Sequence, residues 1–298
     1  MKIRNKQLLG FLVGILGIVL FSSKAVLVKL MYKHEVPMIT ALFLRMLFSF
    51  PFYVFILVSS FKNKNTTKIT NKELLWIIFF GFVGYYLASL FDFIGLTFIK
   101  ASLERVILFV YPTIVLFLNA FFLKQKITKQ QLLATFVTYL GIAITFGSEI
   151  SVSNDNVALG GFFVLLSAIT YASYLVGSGW LIPKIGVVHF TSYVMVVSCL
   201  CVFIHYFITA ETSILNYSWE VYGLGFLIAI LATVIPSFLV SWSIKLISSS
   251  NFAILASLGP VSTIILAVIF LDEYLSFLQL LGTVIVIFGV LLISRNKK

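Results

Sequence analysis

Ten apolar runs, most of them close to 20 residues long, divide this chain, and only short polar connections separate them. A helix rises about 1.5 Å per residue, so each run can cross or nearly cross roughly 30 Å of bilayer hydrocarbon. The runs lie at about 8–31, 38–60, 74–98, 102–123, 131–148, 159–181, 188–209, 220–244, 251–271 and 277–294. None shows the period-two alternation of a membrane strand, which selects spanning helices over a β-barrel. A soluble fold is excluded by composition: 61% of residues are hydrophobic and 10% charged, where soluble domains carry about a quarter charged residues. The expected fold class is an all-α integral membrane protein with ten transmembrane helices.

An even number of spans puts both termini on one side, and the basic residues say which. With the N-terminus inside, fifteen Lys and Arg fall on inner segments and two, Lys33 and Lys100, on outer loops. This bias predicts a multi-pass protein of the plasma membrane with both termini cytoplasmic. The net charge of +11 is then a topology signal, and no nucleic-acid partner is expected. Lys2, Arg4 and Lys6 before the first run resemble a signal-peptide start, but no small-x-small cleavage pattern follows, so a retained first helix is expected. Cys199 and Cys201 are two apart in one run, on different helix faces, which suggests neither a metal pair nor a disulfide.

The chain also repeats itself. A shift of about 148 positions, without a gap, lays Ser89 on Ser237, Ser102 on Ser250, Pro112 on Pro260, Gln131-Leu132-Leu133 on Gln279-Leu280-Leu281 and Gly141 on Gly289. At a similar shift Gly10 meets Gly160 and Phe21-Ser22-Ser23 meets Tyr171-Ala172-Ser173. The expected units are two five-helix repeats, 1–150 and 151–298. An odd number of spans per half inverts the second half relative to the first, an arrangement common in secondary transporters with a site where the halves meet.

Arg45 in the second run, Pro112 in the fourth, the Gln131-Leu132-Leu133 to Gly141 segment, Pro260, and Phe270-Leu271-Asp272-Glu273-Tyr274-Leu275 leading to Gln279-Leu280-Leu281-Gly282 and Gly289 together resemble the EamA branch of the drug/metabolite transporter superfamily. The likeness covers essentially the full chain. It departs at Lys124-Gln125-Lys126, where the family often has an acidic residue. The resemblance implies ten helices, with a central pathway built chiefly from the first, third, fourth, sixth, eighth and ninth, and small organic solutes as substrates.

Charges inside the spans are expensive and mark candidate functional sites. Lys24, Arg45, Asp92, Glu104 and Arg105 are all expected in the outer half. One reading pairs Asp92 with Arg105 across the hairpin of spans three and four, with Glu104 reaching the outer interface. With Lys29 counted, the outer half holds four cations against two acids, an excess that a dry interior would rarely leave unmatched. The other reading is therefore a hydrated cavity or a substrate carboxylate or phosphate.

Polar and aromatic stripes extend the candidate site. Tyr85, Ser89 and Asp92 share a face of the third span, Tyr171, Tyr174 and Ser178 a face of the sixth, and Thr233, Ser237 and Ser241, with Trp242 adjacent, a face of the eighth. Small-residue helix packing also uses Ser and Thr this way. Pro112 and Pro260 are expected helix breaks, whose freed carbonyls one turn earlier could meet polar substrate groups or could mark packing kinks. Gly141, Gly147, Gly282 and Gly289 suit close helix approach, and a homodimer contact is a second use for them.

The candidate substrate-binding set is thus Lys24, Tyr85, Ser89, Asp92, Arg105, Tyr171, Tyr174, Ser178, Ser237, Ser241 and Trp242. No cofactor or metal is expected, and no Gly-x-x-x-x-Gly-Lys-[Ser/Thr] loop is present for direct ATP drive. The expected partners are a small solute and the lipid bilayer. The expected function is secondary transport of a small organic metabolite, such as an amino acid, a vitamin or a related carboxylated or aromatic solute. The alternative is an integral-membrane enzyme or lipid-handling protein with its site among Asp92, Glu104 and Arg105.

Overall fold

The computed structural model describes residues 2–60, 69–123, 156–210, 213–256 and 258–294, with a few positions between 129 and 144. The described chain folds into helices α1 Lys2–Lys33 and α2 Met38–Ser60, α3 Asn71–Phe98 and α4 Ala101–Phe122, α5 Val157–Ile185 and α6 Val187–Thr209, α7 Trp219–Ile247 and α8 Ser249–Leu271, and α9 Phe277–Ser294. Among the described residues eight of these are long and apolar enough to cross a membrane, and Phe277–Gly289 in α9 is a shorter apolar stretch. Helices α1 to α4 match the first four predicted spans and α5 to α9 the last five. The fifth predicted span, 131–148, and Gly147 with it lie largely outside the described residues.

The two halves interleave. α1 packs mainly on α7 and α8, α2 on α6, and α3 and α4 on α5. Each of the first four helices thus finds its main partner in the other half. Glycines permit the closest approaches. A Cβ on Gly84 of α3 would stand 2.3 Å from the Tyr174 Cβ of α5, and one on Gly141 would stand 2.6 Å from the Gly282 carbonyl of α9.

Both halves also break regular helix at corresponding places. A π-helical segment runs Gly81–Leu87 in α3 and another Ile230–Val234 in α7, related by the same 148-residue displacement that relates Pro112 to Pro260. π-bulges insert a residue and redirect the side chains around them. The α-helix is interrupted again by turns at Phe109–Val110 in α4 and at Ala256 in α8. In α8 the Ala256 carbonyl, one turn before Pro260, accepts the Gly259 N–H at 2.8 Å.

Candidate functional site

The intramembrane charges converge. Lys24 Nζ of α1 stands 2.7 Å from Asp92 Oδ2 of α3, and Arg105 Nε of α4 stands 3.7 Å from Glu104 Oε2. The Glu104 carboxyl lies beside that of Asp92. Asp92 is therefore paired with Lys24 rather than Arg105, because the α1 side chain reaches into the α3/α4 hairpin. Glu104 does not reach the outer interface; it is fully buried. The guanidinium donors Arg105 Nε and Nη2 have no hydrogen-bond partner among the described residues.

Arg45 completes the cluster from α2. Its Nε donates to Thr233 Oγ1 at 2.7 Å and its Nη1 to Ser89 Oγ at 3.0 Å, while its guanidinium packs 5.6 Å from the Phe93 ring centre. Thr233 sits in the π segment of α7 and donates in turn to the Ile228 carbonyl, five residues back, at 2.9 Å. The widened helical turn supplies the carbonyl that orients Thr233 toward Arg45.

Two voids meet at this cluster. The larger is bounded by Arg105, Phe21, Tyr111 and Tyr171 together with Val240, Phe252 and Pro260. The smaller is bounded by Lys24, Arg45, Tyr85, Ser89, Ser167 and Tyr171. Phe21, Leu108 and Tyr171 line both. The two rings stack with centroids 6.1 Å apart, and both Lys24 and Arg105 lie over Phe21, at 5.0 and 5.8 Å from its centre. Cations held against a ring face gain from its quadrupole most where water is scarce.

The two halves contribute different chemistry to the larger void. Val240 and Phe252 are the repeat counterparts of Asp92 and Glu104. Arg105 is the charged side chain in the lining of the larger void, and the second half contributes the hydrocarbon of Val240, Phe252 and Pro260 to the same lining.

The predicted site residues divide accordingly. Lys24, Tyr85, Ser89, Arg105 and Tyr171 line the voids, together with Pro260, and Asp92 is held behind Lys24. Tyr174, Ser178, Ser237 and Ser241 are buried in packing contacts. Tyr174 stacks on Phe190, Ser178 donates to the Tyr174 carbonyl, Ser237 bonds Tyr53 and Ser241 accepts from Thr191. Pro112 is buried just beyond the Phe109–Val110 interruption. Trp242 faces away from the chamber with 49% of its surface exposed, because the residue after Ser241 on a helix turns about 100° from its face.

Arg45, Phe21 and Tyr111 belong to the chamber although the stripes did not select them. A further contact joins the halves at the expected outer end. The Glu273 carboxylate, in the turn after α8, accepts from the Ala101 and Ser102 N–H groups at 2.9 and 3.1 Å and from the Ser102 hydroxyl. It caps the N-terminus of α4, where unpaired N–H groups favour an anion. At the opposite end Asn119 Nδ2 donates to Ser250 Oγ at 3.2 Å and Ser243 Oγ to the Gly10 carbonyl at 2.9 Å.

The EamA-like transporter family model matches this sequence twice, over residues 8–147 and 158–295. The chain belongs to the EamA-like transporter family. Two matches in tandem correspond to the two halves whose helices interleave around the chamber. An uncharacterized transporter of Bacillus subtilis, YcbK, is 30% identical over 282 residues, covering 92% of this chain and 88% of its own. The uncharacterized transporter sll1319 of Synechocystis is 24% identical over 98% of this chain and 95% of its own. One solved crystal structure superposes with a TM-score of 0.68 at 14% identity, covering 96% of each chain, which extends the fold and not the function. As an EamA-like transporter the chain is a multi-pass membrane protein, and the charges above lie inside its membrane-spanning bundle.

Proposed function

We propose that this EamA-like protein is a secondary transporter that moves a small organic metabolite by alternating access of its two halves, 1–150 and 151–298, around the charged and aromatic chamber. The observation that carries the reading is the Phe21–Tyr171 stack. A pair of repeat-related rings, one from each half, lines both voids, and a rocking of the halves would part them. The solutes that suit the lining are amino acids, vitamins and related carboxylated or aromatic compounds, since cations and rings line it together. Hydrogen bonds join the halves at both ends, so opening either end must exchange those contacts for water or substrate.

The basic-residue bias supports a plasma-membrane location with both termini cytoplasmic. On that orientation Glu273 closes the outer end. The test is flux into proteoliposomes with chemical analysis of the recovered solute. Protein-dependent movement of an unchanged solute supports transport; conversion of the solute without movement would favour a membrane enzyme instead.

A further inference from the structure

Arg105 is 5% exposed and borders the larger void. The two guanidinium donors without a partner are Nε and Nη2. These two N–H groups lie parallel along one edge of the planar guanidinium, the spacing that receives both oxygens of a carboxylate. Glu104 Oε2, at 3.7 Å from Nε, is beyond hydrogen-bond range, so the fork is buried and charged, with a carboxyl close by but no hydrogen bond to Nε or Nη2. A buried donor left in that state is costly unless something else satisfies it.

Charge counting narrows what that is. Lys24, Arg45 and Arg105 bring three positive charges to the buried cluster, and Asp92 and Glu104 bring two negative ones. With both carboxyls ionised the excess is one positive charge. A carboxylate without an amine cancels one charge, whereas a zwitterion cancels none. A phosphate monoester would carry close to two. The lining from the second half, Val240, Phe252 and Pro260, is apolar and suits a hydrocarbon body.

Building on the transport reading, we propose that the Arg105 Nε/Nη2 fork is the carboxylate-binding site for a monoanionic organic acid, whose apolar or aromatic body lies between Tyr171 and the α7/α8 wall. The ligand class is a monocarboxylate lacking an ammonium group. Arg105 is the anchor, and Lys24 and Arg45 supply the surrounding positive field.

Calorimetric titration of the full-length protein in detergent with three matched probes tests this: 3-phenylpropionate, L-phenylalanine and 3-phenylpropionamide. The acid is expected to bind at least about tenfold more tightly than either of the others, and Arg105→Gln to weaken it about 10- to 100-fold. Arg105→Lys keeps the charge and loses the fork, and is expected to fall between the two while eluting as a folded monodisperse species. Equal binding of acid and amide, equal binding of acid and amino acid, absence of binding by the acid, or wild-type affinity in either folded Arg105 variant overturns the proposal. Arg105-dependent binding without counterflow of the acid supports the site and contradicts transport. Counterflow of the acid that Arg105→Gln leaves unchanged supports transport and overturns the site.

Discussion

Phe21 and Tyr171 stack with ring planes 12° from parallel, although 150 positions of sequence separate them and each comes from the middle of the first helix of its half. Tyr171 extends the contact to Tyr111, edge to face at 5.3 Å, and to Tyr174 at 6.0 Å. The aromatic seam is therefore continuous from α4 through α5, with α1 laid against it.

Tyr171 lines both voids, so removing its ring should widen both. Tyr171→Ala is expected to weaken binding of an aromatic-bodied ligand by about two- to tenfold, the range that one ring pair contributes. Tyr171→Phe should stay close to wild type, because the stack needs the ring and not the hydroxyl. Titration of both variants with the same ligand checks this, and equal losses in the two would contradict the stacking argument.

The Lys24–Asp92 pair is buried at both ends. Deleting one partner leaves an uncompensated charge, at about 3–5 kcal/mol. Lys24→Met and Asp92→Asn are each expected to lower the unfolding midpoint in detergent, and the double variant to regain a large part of the loss. Asp92→Asn is also expected to abolish flux. Additive losses in the double variant would mean that the two side chains act separately.

Glu273 holds the first turn of α4 from the other half. Glu273→Ala removes the cap, worth about 1 kcal/mol on typical scales. Hydrogen exchange measured by mass spectrometry should accelerate severalfold at Ala101 and Ser102 and remain unchanged in α2. Unaltered protection of the α4 N-terminus would remove the cap from the account.

Two glycine substitutions should separate packing from backbone flexibility. Gly84→Ala drives a methyl to 2.3 Å from Tyr174 Cβ, while a methyl on Gly223 meets nothing within 4 Å. Overpacking of that kind costs about 1–3 kcal/mol, so Gly84→Ala is expected to lower the unfolding midpoint. Gly223→Ala should hold it or raise it slightly.

The membrane-helical fold was legible because length and hydropathy decide it, and the repeat because Pro112 and Pro260 carry a backbone constraint that apolar matches lack. The convergence of Lys24, Asp92, Glu104 and Arg105 followed from the cost of charge in hydrocarbon, but their pairing did not. Pairing depends on which helix faces the hairpin, and α1 reaches it from the neighbouring interface. Ser237 and Ser241 share a face with Thr233, yet they spend their hydroxyls on Tyr53 and Thr191, which spacing within one helix does not reveal. Phe21 has no polar signal at all; only its match to Tyr171 marked the position. Glu273 reads as a surface acid in a polar turn, and its role emerges only when the two halves are brought together.

Counterflow in proteoliposomes loaded with unlabelled solute tests the central claim most directly, with radiolabelled 3-phenylpropionate, L-phenylalanine and nicotinate supplied outside and the label recovered for chemical analysis. The account predicts protein-dependent accumulation of at least one of them, chemically unchanged and abolished by Asp92→Asn. Absence of movement for all three, or recovery of label only in a converted product, would contradict it.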